Sequence, residues 1–178
     1  MKKVNNPLLI ITELTVLVFL FYFVIRIINK RIKFHVNRGI GQAKQMNNNP
    51  LNIRTSDNKW MGKNTQLGDA FESFSDSSFA FRAGLVLLYN YIGMGYDTLA
   101  KMITEYAPPS DNNPTEAYIK NVSGWSGVPF DLVLTRNSFP AFAVDIISAM
   151  ARQEQGKDPD AEKVKEGFDM FKNKYKIS

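Results

Sequence analysis

The sequence predicts a mainly α-helical domain behind a single N-terminal transmembrane helix. Three observations carry that expectation. Apolar residues recur at steps of three and four in several segments, no run alternates apolar and polar residues as a series of strands would, and residues 8–28 form one nearly continuous apolar stretch. The 178 residues suffice for one domain with a real core plus an appendage. The expected organisation is a basic-flanked transmembrane anchor at 1–30, a helical domain at 31–160 and an amphipathic C-terminal helix at 161–178.

Leu8 to Ile28 is interrupted only by Thr12, Glu13, Thr15 and Arg26. As a helix it spans about 30 Å, the thickness of a bilayer core. Glu13 and Arg26 lie near its ends, where both can reach the interface. No small-x-small cleavage site follows, because the first glycine is Gly39 and the first alanine Ala43. The segment therefore reads as an uncleaved anchor rather than a signal peptide. Arg26, Lys30, Arg31, Lys33 and Arg38 lie in or after it, which puts the domain on the cytoplasmic side.

The net charge of +5 is unevenly placed. Residues 1–44 hold eight basic residues against Glu13, a balance of +7, which leaves −2 for the remainder. A slightly acidic domain offers no basic face, so nucleic acid is not an expected partner. Cysteine is absent and His35 is the single histidine. This excludes thiol chemistry and zinc–thiolate sites and argues against a Ser-His-Asp triad; no metal or other cofactor is expected. Any chemistry rests on carboxylates, hydroxyls and amides.

From Asn37 to Lys63 the chain is rich in Asn and Gly and reads as a long loop, with Ile53 and Trp60 as packing points. Phe71 to Phe74 reads as a short extended piece, in which Glu72 can be a partly buried acid but is expected to be exposed beside core anchors. A helix capped by Ser77 or Ser78 runs to about Ile92, and Arg82 on its apolar stripe needs an acid or carbonyl partner. Gly93 and Gly95 break it. Asp97 caps a short helix through Tyr106, which Pro108-Pro109 ends. Asn113-Pro114-Thr115-Glu116 marks the start of another helix, which Gly124 closes.

Ser138 to Gly156 is the next helix, with Ser138 as cap, Pro140 in the first turn and Gly156 as the left-handed residue beyond the end. Phe139, Ala143, Ile146, Ile147 and Met150 form its apolar stripe. The same stripe continues to Glu154, while Asp145 and Arg152 share a solvated face. A carboxylate on a dry face at the negative end of a helix dipole is expected to have a raised pKa, as a general acid requires. Asp160 to Tyr175 forms the last helix, with Val164, Phe168, Phe171 and Tyr175 on one side. It can pack on the domain or on a neighbouring subunit.

Several stretches recur in a known order. Asn37-Arg38-Gly39-Ile40 and Asn47 to Arg54 resemble an RGIRNNNPGNIR signature, and Trp60-Met61-Gly62 its W-x-G. Phe71 to Phe74 with Arg82-Ala83, then Ala107-Pro108-Pro109 through Tyr118-Ile119, then Ala149 to Gly156 match three further motifs. Together, over roughly Asn37 to Asp160, they resemble a family of phage and prophage virion proteins with a lysozyme-like, peptidoglycan-degrading domain. Gly41 to Met46 separates two halves that the family keeps contiguous, Leu51 stands for a glycine, Asp111 for a glutamate, and Gln155 for the residue that follows the motif Glu.

The resemblance implies a lysozyme-like α domain. Because Glu154 lies late in the chain and the Asn-rich loop early, a circularly rearranged version of that fold is expected, with the two brought together. It implies a lytic transglycosylase or lysozyme-type glycoside hydrolase with Glu154 as its one catalytic carboxylate. The expected substrate-binding residues are Asn48, Asn49, Asn52, Arg54, Trp60, Tyr106 and Tyr118. The asparagines can hold N-acetyl groups or satisfy their own turn, and the aromatic residues can stack on sugar rings or belong to the core. The expected partners are peptidoglycan glycan strands, a lipid bilayer through residues 8–28, and other virion proteins. The expected location is a virion internal membrane, acquired from the host inner membrane during assembly, with the domain on the capsid-facing side. The alternative is a structural virion membrane protein whose lysozyme-like domain is inactive.

Overall fold

A computed structural model describes residues 48–64 and 70–177. Residues 8–28 and the expected anchor lie outside them, and none of the described helices is long and apolar enough to cross a membrane. The architecture is mainly α: α1 (Ser77–Gly93), α2 (Leu99–Tyr106), α3 (Thr115–Ser126), α4 (Ala143–Gln155) and α5 (Ala161–Tyr175), with 3-10 turns at Pro109–Asp111 and Phe139–Ala141. Extended pairing among the described residues is limited to isolated bridges, Arg54 with Phe71, Lys63 with Phe74 and Thr98 with Val133.

The helices follow their apolar periodicity, and their ends follow cap chemistry more closely than residue type suggests. Asp76, not Ser77 or Ser78, caps α1: its carboxylate accepts from the Ser78 backbone N–H at 2.9 Å and the Ser78 hydroxyl at 2.7 Å. Those two donors hold the Asp76 carboxyl below its usual range. Thr98 rather than Asp97 caps α2, accepting from the Lys101 N–H at 3.3 Å. Helix α3 begins at Thr115 and runs past Gly124 to Ser126, where Gly127 takes the left-handed conformation. Ser138 caps no helix; its hydroxyl accepts from the Thr135 N–H, and a 3-10 turn precedes α4. Gly156 ends α4 as expected, at φ 71°, its N–H donating to the Arg152 carbonyl.

The core gathers one face of each helix. Phe139, Ala143, Ile146, Ile147 and Met150 are buried, while Asp145 and Arg152 face solvent. Helix α5 packs along α1 in the same direction: Lys163 pairs with Asp76, Gly167 lies against Ser78 and Arg82, and Phe171 and Tyr175 meet Tyr89. Gly167 permits that approach, because a Cβ there would come within 2.7 Å of the Ser78 carbonyl oxygen. Gly84 plays the same part on another side, where a Cβ would meet Leu51 at 2.4 Å. So Leu51 fills a space in the core that α1 leaves open.

Two charged residues depart from expectation. Glu72 is buried rather than exposed, and Lys63 reaches both its oxygens at 2.9 and 3.0 Å while Ser56 donates from its N–H and hydroxyl. Arg82 is buried where its position calls for an acid or carbonyl partner, and its Nε has no hydrogen-bond partner among the described residues. Burial pushes its guanidinium down, and the neighbouring Tyr175 phenol partly offsets this.

Candidate active site

The site forms where the Asn-rich loop meets the end of α4. The loop's shape comes from Asn49, whose buried amide accepts from the Ile53 N–H at 3.1 Å and donates to the Ile53 and Glu72 carbonyls at 3.0 and 2.9 Å. This turn places Asn52 in the left-handed region at φ 53°, which asparagine tolerates better than most residues. The Asn52 N–H closes the turn on the Asn49 carbonyl at 3.1 Å. Asn48, also left-handed, donates to the Phe74 and Ser75 carbonyls.

Three consecutive loop residues are each held from across the fold. The Pro50 carbonyl accepts from the Gln155 side-chain amide at 3.1 Å, and the Leu51 carbonyl accepts from the Tyr106 hydroxyl. The Asn52 side-chain amide donates to the Glu154 carboxylate. Glu154, half-buried in the last turn of α4, is thereby oriented by a residue 102 positions earlier in the chain.

A cleft of about 290 Å³ opens beside these contacts. Asn52, Arg54, Trp60, Tyr106 and Glu154 all line it. Arg54 lies on its rim, exposed, and pairs with Asp111 at 2.9 Å, so the aspartate that stands for a glutamate still meets the loop. Trp60 packs against the core with its indole N–H enclosed and unpartnered among the described residues. Asn48 and Asn49 do not line the cleft; their amides are taken up by the loop itself. Tyr118 is buried outside the cleft lining, and its hydroxyl makes no well-formed hydrogen bond among the described residues although it lies within the field of Glu154.

The electrostatics follow from enclosure. Burial, then the Glu154 charge, raises the Tyr106 and Tyr118 phenols well above their ordinary range. Both therefore remain neutral at any ordinary pH and can act as hydrogen-bond groups only. Sequence reasoning missed Glu105, a second carboxylate lining the same cleft. It lies beside the phenols of Tyr91 and Tyr96, both of which its charge helps to raise. Glu105 occupies an exposed helix position, and nothing in its local pattern distinguishes it from any surface glutamate. Ser56, Asn58, Tyr91 and Asn113 also line the cleft and were not singled out. Among the described residues no cluster of His, Asp and Glu could hold a metal ion.

The arrangement offers one half-buried carboxyl with a fixed orientation, a second exposed carboxylate, and polar and aromatic walls. That set suits proton transfer to a polar substrate. No family model matches the sequence. The chain is 33% identical over 129 residues to Protein P5 of Pseudoalteromonas phage PM2, an alignment covering 69% of this chain and 78% of that protein. At this identity and coverage the chain belongs to the family of phage proteins that includes Protein P5 of Pseudoalteromonas phage PM2.

Proposed function

We propose that this chain is a phage virion protein that opens the peptidoglycan glycan strand during entry, with Glu154 as its catalytic carboxyl. On this reading the domain is lysozyme-like with a circularly rearranged order, and residues 8–28 anchor it in a virion membrane. The observation that carries the reading is the Asn52–Glu154 contact at the edge of a cleft. It joins the two motifs, Asn47 to Arg54 and Ala149 to Gly156, that the family resemblance ties to substrate and chemistry. The phage origin of the relative supports the viral setting.

The mechanism requires Glu154 to carry a proton when it meets the glycosidic oxygen. It gives that proton to the leaving oxygen as the C1–O bond breaks. It then takes the proton of the sugar's own C6 hydroxyl while that oxygen bonds to C1, closing an anhydro ring. Asn52 holds the carboxyl in place through both steps. Trp60 and Tyr106 offer ring faces or edges to the sugar, and Arg54 can meet a peptide or lactyl carboxylate once it leaves Asp111. Glu105 favours a second, hydrolytic reading in which it directs a water to C1 instead.

The test is glycan cleavage by the full chain and by Glu154→Gln. Clearing of peptidoglycan by the unmutated chain and not by the variant is expected. Anhydro ends in the products support transglycosylation, and reducing ends support hydrolysis through Glu105. If the unmutated chain clears nothing, the enzymatic reading falls and a structural virion membrane protein remains.

A further inference from the structure

A second cleft lies on the opposite face of α1. Leu87 and Tyr91 border the first cleft, whereas Tyr89 borders this one. It has a volume of about 650 Å³ and runs between the end of α1, the Phe139–Ala141 turn and the end of α5. Its walls carry Arg136, Lys172 and Lys176 and no carboxylate.

The cations are positioned rather than merely exposed. The Arg136 guanidinium lies over the Tyr89 ring, 5.1 Å from its centroid. It also fills the space left by Gly93, where a Cβ would come within 2.1 Å of its Nη2. It has no ion-pair partner among the described residues. Lys172 lies 5.3 Å from the Phe168 centroid, and its nearest carboxylate, Asp169, is 3.8 Å away. Tyr175 lines the wall between, close enough to both Arg136 and buried Arg82 for their charges to act on its phenol. A planar guanidinium fork and two mobile ammonium groups supply donors in several directions, which suits a tetrahedral anion better than a planar one. The rings of Phe168 and Tyr175 supply apolar surface for whatever the anion is attached to.

We propose that this cleft binds a phosphate ester, its phosphate held among Arg136, Lys172 and Lys176 and its organic group set against Phe168 and Tyr175. The site is independent of the Glu154 cleft, and its occupancy does not require the proposed cleavage. Two sources share this chemistry, a soluble phosphomonoester and the phosphodiester headgroup of a lipid.

The experiment uses the full chain, labelled with fluorotyrosine and held in non-ionic micelles. Phenyl phosphate and glycerophosphoglycerol are titrated separately, with the Tyr89 and Tyr175 resonances assigned by Tyr→Phe variants. Saturable shifts at Tyr175 are expected, with Tyr118 unmoved. The double variant Arg136→Ala, Lys172→Ala should bind about tenfold more weakly or worse, because it removes charge-assisted hydrogen bonds. Both positions lie at the surface, and an unchanged unfolding midpoint shows the variant is folded. Tighter binding of glycerophosphoglycerol assigns the site to a lipid headgroup, and tighter binding of phenyl phosphate to a soluble ester. No saturable shift with either probe, equal binding by the double variant, or equal binding of phenylacetate would overturn the proposal.

Discussion

The two sides of α1 are held together by different physics. Toward α5 the interface is largely aromatic: Tyr89, Phe139, Phe171 and Tyr175 meet at centroid distances of 4.3 to 6.3 Å, over a close helix approach at Gly167, with Arg82 as a buried charge whose Nε has no hydrogen-bond partner among the described residues. Toward the loop of residues 48–64, which α1 meets at Gly84 and Phe79, the neighbouring packing is threaded with buried polar groups: the Asn49 amide, the Glu72–Lys63 pair and the Asn52–Glu154 contact. The Asn52 Oδ1 and Trp60 Nε1 are buried there without hydrogen-bond partners among the described residues. An apolar interface stabilises by area and tolerates exchange of similar shapes. A polar one specifies a single geometry and costs free energy wherever a group is left unmatched. The first side accounts for stability and the second shapes the candidate site.

Substitutions on the two sides should therefore separate. Phe171→Ala removes a fully buried ring from the apolar side and should cost about 3–5 kcal/mol in denaturant unfolding. Any activity per folded molecule should stay near normal, and a selective loss of activity would break the division.

On the polar side, Lys63→Met strands the Glu72 charge in the interior and should cost about 3 kcal/mol. The double variant Lys63→Met, Glu72→Met should recover much of that loss, since no charge is then left unpaired. A double variant less stable than the single one would show that the pair stabilises in its own right.

Asn52→Gly, which keeps the left-handed backbone without strain, should leave the unfolding free energy within about 1 kcal/mol, because one partly buried side-chain hydrogen bond has a small net worth. Glycan cleavage should fall by about ten- to a hundredfold if Asn52 sets the carboxyl's orientation, a loss of about 1.4–2.7 kcal/mol in the transition state.

The cap of α1 gives a smaller effect with a definite sign. Asp76→Ala should cost about 1 kcal/mol. The folded-state pKa of Asp76 is depressed below 3.8, so its contribution is present above about that value and lost as pH falls through the lower one. Asp76→Asn should keep much of the cap and flatten the acid limb of the stability profile.

A separate effect lies at high pH. Burial, helped by Glu105 and Tyr96, pushes the Tyr91 phenol up to about 12, from 10.0. Stability tied to its neutral form is present below pH 10 and is lost between 10 and 12, and Tyr91→Phe should remove that part of the slope.

The difference between the two sides also explains what the sequence reveals. Helix α5 was legible because Val164, Phe168, Phe171 and Tyr175 repeat at helical spacing and Asp160 caps them. Its partner was not, because packing against α1 depends on Gly167, whose small size has meaning only beside another helix. Cap residues were misplaced by one or two positions where several polar residues adjoin, as at Asp76-Ser77-Ser78: which oxygen reaches the free N–H depends on backbone angles. Glu72 was misread because Lys63 reaches it through a turn that residue type alone does not define. The site divides in the same way. Glu154 was singled out by periodicity, and its meeting with the Asn-rich loop was expected only from the family resemblance, whereas Glu105 enters the cleft only through the fold.

Glycan cleavage by the full chain, compared with its Glu154→Gln variant at equal folded concentration, tests the central claim most directly. The account predicts release of soluble muropeptides by the unmutated chain and none above background by the variant, with the two unfolding alike. Equal release by both would contradict it, since the carboxyl that Asn52 holds at the cleft would then have no part in the chemistry.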